Sequence, residues 1–525
     1  MPWLTILILI PLFGSLSMCI VPVGGLFQAR LQAALAGGLT LVMSLIMLGN
    51  FHRGFPGPQF VEHAGWGTQV GLDWTVWVDG ISIWLIILTT GLFAVAIAYL
   101  CFRTPERPRA FLALILLAEV GLIGLFSAGN LILFYVFWEL MLVPFYFLIG
   151  MWGGAGRQLA STKFVIYTMF GSLLMLISIV STAVIAQGIT GVYTFDIVAL
   201  RNVAYTRPES IWLLSGFLLA FLIKLPLWPF HGWLPNAYRE SPIVVVGLLA
   251  AVVSKAGVYG LLRIGLPLFP RGMEYFQYPI MLLALVSIVY GSLVAWRQPT
   301  MRMLVGYSSL AHLGFIALGI AAIDAQAAQG AVLQMVNHGV VVAAAFVIVG
   351  IISARTGKED IDDLGGLAAG APWLAGLFLV VAMASLAIPG SNSFAGEFFI
   401  LAGVFRHDWW AASIAMIGVI YAAVYMLRLY QSSMNGPTRG GDPRRVELKV
   451  RDVVVLVPLI GVMLFIALWP QALFGASSAS VDSAVAPAQV AVGRPANEIH
   501  GVVLPNPLPV TQLPSSTTSS GGSAQ

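Results

Sequence analysis

Glu119, Glu139, Lys224, His231, Lys255, His312, His338 and Glu397 all fall within, or at the breaks of, stretches that are otherwise long and apolar enough to cross a bilayer. Carboxylates, amines and imidazoles share one chemical ability, the exchange of protons. Placing a charge at the bilayer centre costs at least ~2.5–3.5 kcal/mol on insertion scales, so a series of such groups marks an ion or proton path. A buried lysine whose carboxylate partner approaches or withdraws takes up or releases a proton. An imidazole already titrates near neutrality and needs less tuning.

The spacing adds a second clue. Glu139 and Lys224 are 85 residues apart, and so are His312 and Glu397. This equality predicts an internal repeat offset by 173 residues, each copy carrying one ionisable pair. Helix breakers accompany both pairs: Pro226, Pro229 and Gly232 follow Lys224, and Pro389, Gly390 and Gly396 precede Glu397. A broken helix at membrane depth is tolerated only where protein or a water-filled cavity surrounds the freed backbone. Both breaks are therefore expected to point inward.

A chain of 525 residues that is 59% hydrophobic and 9% charged cannot cover a soluble globule with polar surface. At roughly 20 residues per span, the chain divides into about fourteen helices, an all-α membrane fold. The first pair then lies on the fifth and seventh spans and the second on the tenth and twelfth. An offset of five, an odd number, turns the second copy upside down, and inverted repeats with discontinuous helices are a transporter architecture. The expected organisation is helices 1–3 with a loop at 51–79 (residues 1–109), a first five-helix repeat (110–265), a second inverted repeat (275–432), a loop and fourteenth helix (433–471) and a disordered tail (472–525). A short hairpin is expected within 51–79.

Of the 26 Lys and Arg residues, 17 fall in one set of alternate loops and 7 in the other; Lys224 and Lys255 lie inside spans. Positive loops stay cytoplasmic, so both termini are expected on the outer side of the cell inner (plasma) membrane. The net charge of +4 is spread over short loops, which argues against nucleic-acid binding. Cys19 and Cys101 have neither disulfide nor metal spacing. Structural roles compete with the functional ones: Glu139 and Lys224 as a static ion pair, Lys255 as a residue reaching an interface, His338 as a hydrogen-bonding strut, and Glu119 and His231 as packing residues. A pair placed at a helix break and mirrored in a second copy is hard to explain as glue.

The stretches FYVFWELMLVPFYFLIGMWGG, LPLWPFHGWLPNA, YSSLAHLGFIALG, VNHGVVVAAAF, DIDDLGGL and IPGSNSFAGEF carry a resemblance. The chain is similar, from about residue 80 to 430, to the antiporter-like membrane subunits of respiratory complex I, and most to the subunit M (NADH dehydrogenase chain 4) type. The resemblance implies that Glu139, Lys224, Lys255 and Glu397 are the family's proton-translocating residues; imidazole chemistry within the spans adds His312 and His338. Glu397 points to subunit M, since the sister subunits typically carry Lys there. One departure stands out: LPNAYRESP, with Asn236, Tyr238 and Arg239, replaces a family pattern close to LPDAHTEAP.

The resemblance further implies a proton-pumping role in NADH:quinone oxidoreductase, with subunits L and N on either side. The chain has no cysteine cluster and no glycine-rich nucleotide fingerprint after a strand. NADH, FMN, iron–sulfur clusters and quinone are accordingly expected in partner subunits and no cofactor in this chain. A subunit of a multisubunit cation/proton antiporter and a non-translocating assembly scaffold are the competing readings.

Overall fold

The computed structural model describes residues 2–20, 25–67, 71–439 and 441–495. Twelve helices among them are long and apolar enough to cross a membrane, from Trp3–Ile20 to Val450–Leu468. Two further crossings are interrupted, as the breakers predict. Arg207–Lys224 stops at its lysine and resumes as Leu234–Glu240, and Pro372–Ser385 is followed by Asn392–His407. Polar residues face inward and apolar ones outward: Ile166, Phe170, Leu173 and Ile177 on the helix Arg157–Thr190 are exposed, whereas Lys224, Lys255, His312, His338 and Glu397 are buried. This inverted amphipathicity is what a lipid solvent selects.

Local chemistry fixes the helix starts. Thr206 and Glu209 form a reciprocal capping box on the seventh crossing, and Asn130, Thr300 and Asp324 each accept backbone N–H groups at other N-termini. The helices Met301–Ala321 and Ala325–Thr356 are almost wholly enclosed by others, and these two carry His312 and His338. Between Ile243 and Leu268 the helix widens into π turns at Leu249–Val253 and Leu261–Gly265, flanking the turn that bears Lys255. Such turns shift side-chain phase and favour functional sites. Gly257 completes the arrangement: a Cβ there would lie 2.4 Å from the Phe221 carbonyl oxygen, so only glycine lets the seventh crossing press against the helix of Lys255.

The expected hairpin is present, with Gln59–Gly67 antiparallel to Leu72–Val78. Glu62 on its first strand accepts from the Leu4 and Thr5 amides at 2.6 and 3.1 Å, capping the first span. Two expectations need correction. Residues from 472 onward were expected to be disordered, yet Gln471–Ala491 is a helix, because its Ala- and Ser-rich face is narrow enough to seat against the protein. The stretch PNPLPVTQLPSSTTSSGGSAQ lies outside the described residues. Arg263, assigned to a loop by charge counting, is instead buried at the end of the helix of Lys255.

Arg263 lies there because it is paired. It donates to Asp79 Oδ1 at 2.7 Å and to the Tyr259 hydroxyl at 3.1 Å, and stacks over Trp77. The helix Gln471–Ala491 closes the cluster, with Ser480 accepting from the Gly80 amide and Ser483 from Arg201. Burial pushes the Asp79 carboxyl up, but the Arg263 charge and hydrogen bond, with the Ser82 and Ile81 amides, hold it below the usual carboxylate range. Its stabilisation is therefore complete at neutral pH and is lost only as pH falls through that lowered value. Asp79→Asn strands a buried guanidinium, and a cost of about 3–5 kcal/mol is expected. A fall in the thermal unfolding midpoint of the purified assembly measures it; an unchanged midpoint contradicts the role.

Candidate functional site

The second ionisable pair is formed directly. His312 Nδ1 lies 2.8 Å from Glu397 Oε1, and Gln334 Nε2 donates to the same oxygen at 3.0 Å. Asn337 and Asn392 exchange hydrogen bonds beside the break, Asn337 Nδ2 to the Asn392 carbonyl at 2.7 Å and Asn392 Nδ2 back to Asn337 Oδ1 at 3.2 Å. These bonds tie the broken helix to the helix of His338. Glycine makes the approach close: a Cβ at Gly330 would lie 2.6 Å from the Ile400 nitrogen.

Lys255 links its own helix to that of His338. Its Nζ lies 2.7 Å from both His338 Nδ1 and the Ala250 carbonyl. With Lys255 protonated it donates to Nδ1, which leaves the ring proton of His338 on Nε2. The His312 and His338 ring centroids are 5.7 Å apart. Nε2 of both rings, the Ser309 hydroxyl and Gln334 Oε1 are buried without a hydrogen-bond partner. All four residues line one cavity, together with Ser308, Ser385 and Ser393. Its volume of about 20 Å³ exceeds the roughly 10–15 Å³ that one water requires, and the polar lining supplies the partners.

The first pair is not formed. Lys224 Nζ makes no hydrogen bond and rests over the rings of Trp138 and Phe164, 5.2 and 5.8 Å from their centroids, a cation–π setting. Glu139 is only partly buried, and its Oε1 is likewise without a partner. The sequence expectation of a coupled pair thus meets two groups in one neighbourhood that do not bond; the aromatic faces take the place of the carboxylate.

Residues 128–422 match the family model described as NADH:quinone oxidoreductase/Mrp antiporter, TM. The NADH-quinone oxidoreductase subunit M of Mycobacterium tuberculosis (strain CDC 1551 / Oshkosh) is 37% identical over 517 residues, covering 92% of this chain and 94% of that protein. The chain belongs to the subunit M family of NADH-quinone oxidoreductase. A chain of respiratory complex I from Thermus thermophilus with bound NADH superposes with a TM-score of 0.84 at 27% identity, over 92% of this chain and 99% of its own length. A chain of the Mrp complex from Dietzia sp. DQ12-45-1b shares the fold, with a TM-score of 0.81 at 21% identity over 94% and 100% of the two chains. This subunit M relative is thus an antiporter-like, multi-pass membrane-arm subunit of complex I, and that reading is favoured over the separate antiporter.

Within the subunit M fold, Lys255, His338, His312 and Glu397 are brought together and Lys224 and Glu139 stand apart from them as a second group. His231 packs edge-on against Tyr290, its Nδ1 without a partner. Glu119 is fully buried, and neither carboxylate oxygen has a partner. Glu397 lies beyond the first turn of Asn392–His407, where the amides are already bonded, so the break offers it no free backbone donor and His312 and Gln334 hold it. Gln334 was not singled out from sequence. Its position four residues before His338, hence on the same helix face, was the available signal.

Proposed function

We propose that this subunit moves protons along a buried axis that runs from Lys224 through Lys255, His338 and His312 to Glu397. The observation that carries the proposal is the order of donors and acceptors. With Lys255 protonated and Glu397 ionised, the distances assign Lys255 as donor to His338 Nδ1 and His312 Nδ1–H as donor to Glu397, which leaves a proton on His338 Nε2 and none on His312 Nε2, both unpartnered in residues that line the cavity. One water between the two Nε2 atoms completes a directional chain. A proton given up by Lys255 to His338 then displaces the Nε2 proton through that water to His312, whose Nδ1 proton passes to Glu397.

The charge state of each group biases its neighbour. A cation on Lys224 opposes a cation on Lys255, and Glu139 relieves Lys224 when the two approach, so proton loading in the first half favours release from Lys255 into the second. Each elementary charge moved against 100 mV costs about 2.3 kcal/mol, and that energy is drawn from redox steps in neighbouring subunits. The chain itself supplies no redox centre; NADH, FMN, iron–sulfur clusters and quinone belong to its partners, with subunits L and N flanking it. Its loop charges support a place in the bacterial plasma membrane with both termini outside.

His338→Phe keeps the ring and removes both nitrogens. In inside-out vesicles it is expected to lower the proton gradient formed per NADH oxidised by roughly tenfold or more, within the ~10²–10⁴-fold that a positioned proton-transfer group supplies, while the other subunits still co-purify. A normal gradient would remove His338 from the route.

A further inference from the structure

We infer that Tyr238 and Ser309 form a neutral hydroxyl relay that delivers protons from the arginine-rich face into the cavity between His312 and His338. The inference rests on the proton-route reading above and extends it to residues outside the charged series. Tyr238 stands in LPNAYRESP, the segment that departs from the family pattern, on the short helix Leu234–Glu240 beyond the first break. It is fully buried.

Packing holds the ring in one place. Trp233 and Phe346 meet it edge-on at centroid distances of 6.4 and 6.1 Å. Gly306 gives it room, since a Cβ there would come within 3.0 Å of the ring. The ring's seat against Gly306 leaves the hydroxyl near Ser309, three residues further along the same helix, with no hydrogen bond formed between them. Ser309 and His312 follow at the same interval and share that face of the helix Met301–Ala321.

Neither the Tyr238 hydroxyl nor Ser309 Oγ has a hydrogen-bond partner, and Ser309 lines the cavity shared by His312, His338 and Gln334. A buried hydroxyl left unpaired costs free energy, so an unpaired Ser309 hydroxyl on the cavity wall with the unpaired Tyr238 hydroxyl behind it marks a place where water joins them. A Tyr serving only to pack would gain from losing its hydroxyl.

The transfer is balanced and leaves no ion behind. An incoming proton bonds to a lone pair of the Tyr238 oxygen as the original O–H bond breaks toward Ser309. Ser309 repeats the exchange, and its proton reaches His312 Nε2 through the cavity water. Lys163, donating to Asn236 Oδ1 at 3.0 Å on the same short helix, and Arg239 mark the side from which protons arrive.

The test compares Tyr238→Phe, Tyr238→His and Ser309→Ala with Lys224→Ala, reading protons moved per NADH oxidised by the whole complex in inside-out vesicles. Tyr238→Phe, which keeps the ring, is expected to lower that ratio about fivefold, the loss of one ordinary hydrogen bond from the path. Tyr238→His restores a proton-passing group and recovers most of it, which a purely structural role would not allow. Ser309→Ala reproduces the Phe effect without disturbing the Tyr238 ring, and so decides the matter if a Tyr238 variant fails to assemble. Wild-type pumping by Tyr238→Phe or Ser309→Ala, with Lys224→Ala impaired, overturns the relay alone. Normal pumping by Lys224→Ala overturns the underlying proton route instead.

Discussion

Lys224→Ala is expected to leave the subunits co-purifying while cutting NADH-driven proton pumping by roughly tenfold or more. The reasoning lies in its surroundings. Lys224 is buried at the end of its half-helix, bonded to no acceptor and cradled by the Trp138 and Phe164 rings. A lysine kept to hold helices together would be hydrogen-bonded, since an unpaired buried cation is among the costlier features a fold can retain. Alanine removes that cost, so stability is preserved or raised and only the proton step is lost. Glu139→Ala is expected to impair pumping in the same direction, through loss of the carboxylate that approaches the lysine in the loaded state. Full pumping in Lys224→Ala membranes would mean that the aromatic cradle serves packing alone.

The two halves differ in a way that bears on this result. His312 and Glu397 are bonded at 2.8 Å, whereas their counterparts in the first half are apart. Equal spacing in sequence has therefore not produced equal geometry. A pump with one pair closed and the other open has two distinguishable states, and exchanging them moves charge from one half to the other. The open Lys224 and the closed Glu397 fit one such state.

The membrane fold was legible because its signals are collective. Runs of apolar residues have to span a bilayer, and prolines and glycines have to interrupt them, so a many-span helical fold and both breaks follow from composition and position, with twelve helices among the described residues long and apolar enough to cross. The ionisable axis was legible for a related reason: lipid excludes charge, so each buried Lys, His or Glu announces itself. Partners were not. Which nitrogen faces which oxygen depends on helix rotation, and the π turns around Lys255 shift side-chain phase in a way that no spacing rule at 3.6 residues per turn captures. Gln334, Ser309 and Tyr238 carry no formal charge and were invisible to an argument built on charge. Arg263 was misplaced because loop counting treats every arginine near a boundary as solvated, whereas Asp79 draws this one inside.

Glu397 offers the sharpest separation of charge from shape. Its Oε1 accepts from both His312 and Gln334, so Glu397→Gln retains an acceptor oxygen of the same reach and leaves the local packing intact. On the proposed route, what it removes is the site at which the arriving proton comes to rest. Pumping is expected to fall by roughly tenfold or more, with assembly unchanged. Glu397→Asp retracts the carboxylate by one methylene, which lengthens the bond from His312 and admits water into the gap, yet a titratable oxygen remains within a water's reach. Its loss is expected to be clearly smaller than that of the glutamine variant. The two measurements belong in the same vesicles, read as protons moved per NADH oxidised. An aspartate variant that fails while the glutamine variant pumps would show that this position supplies geometry to the helix break and not a resting place for a proton.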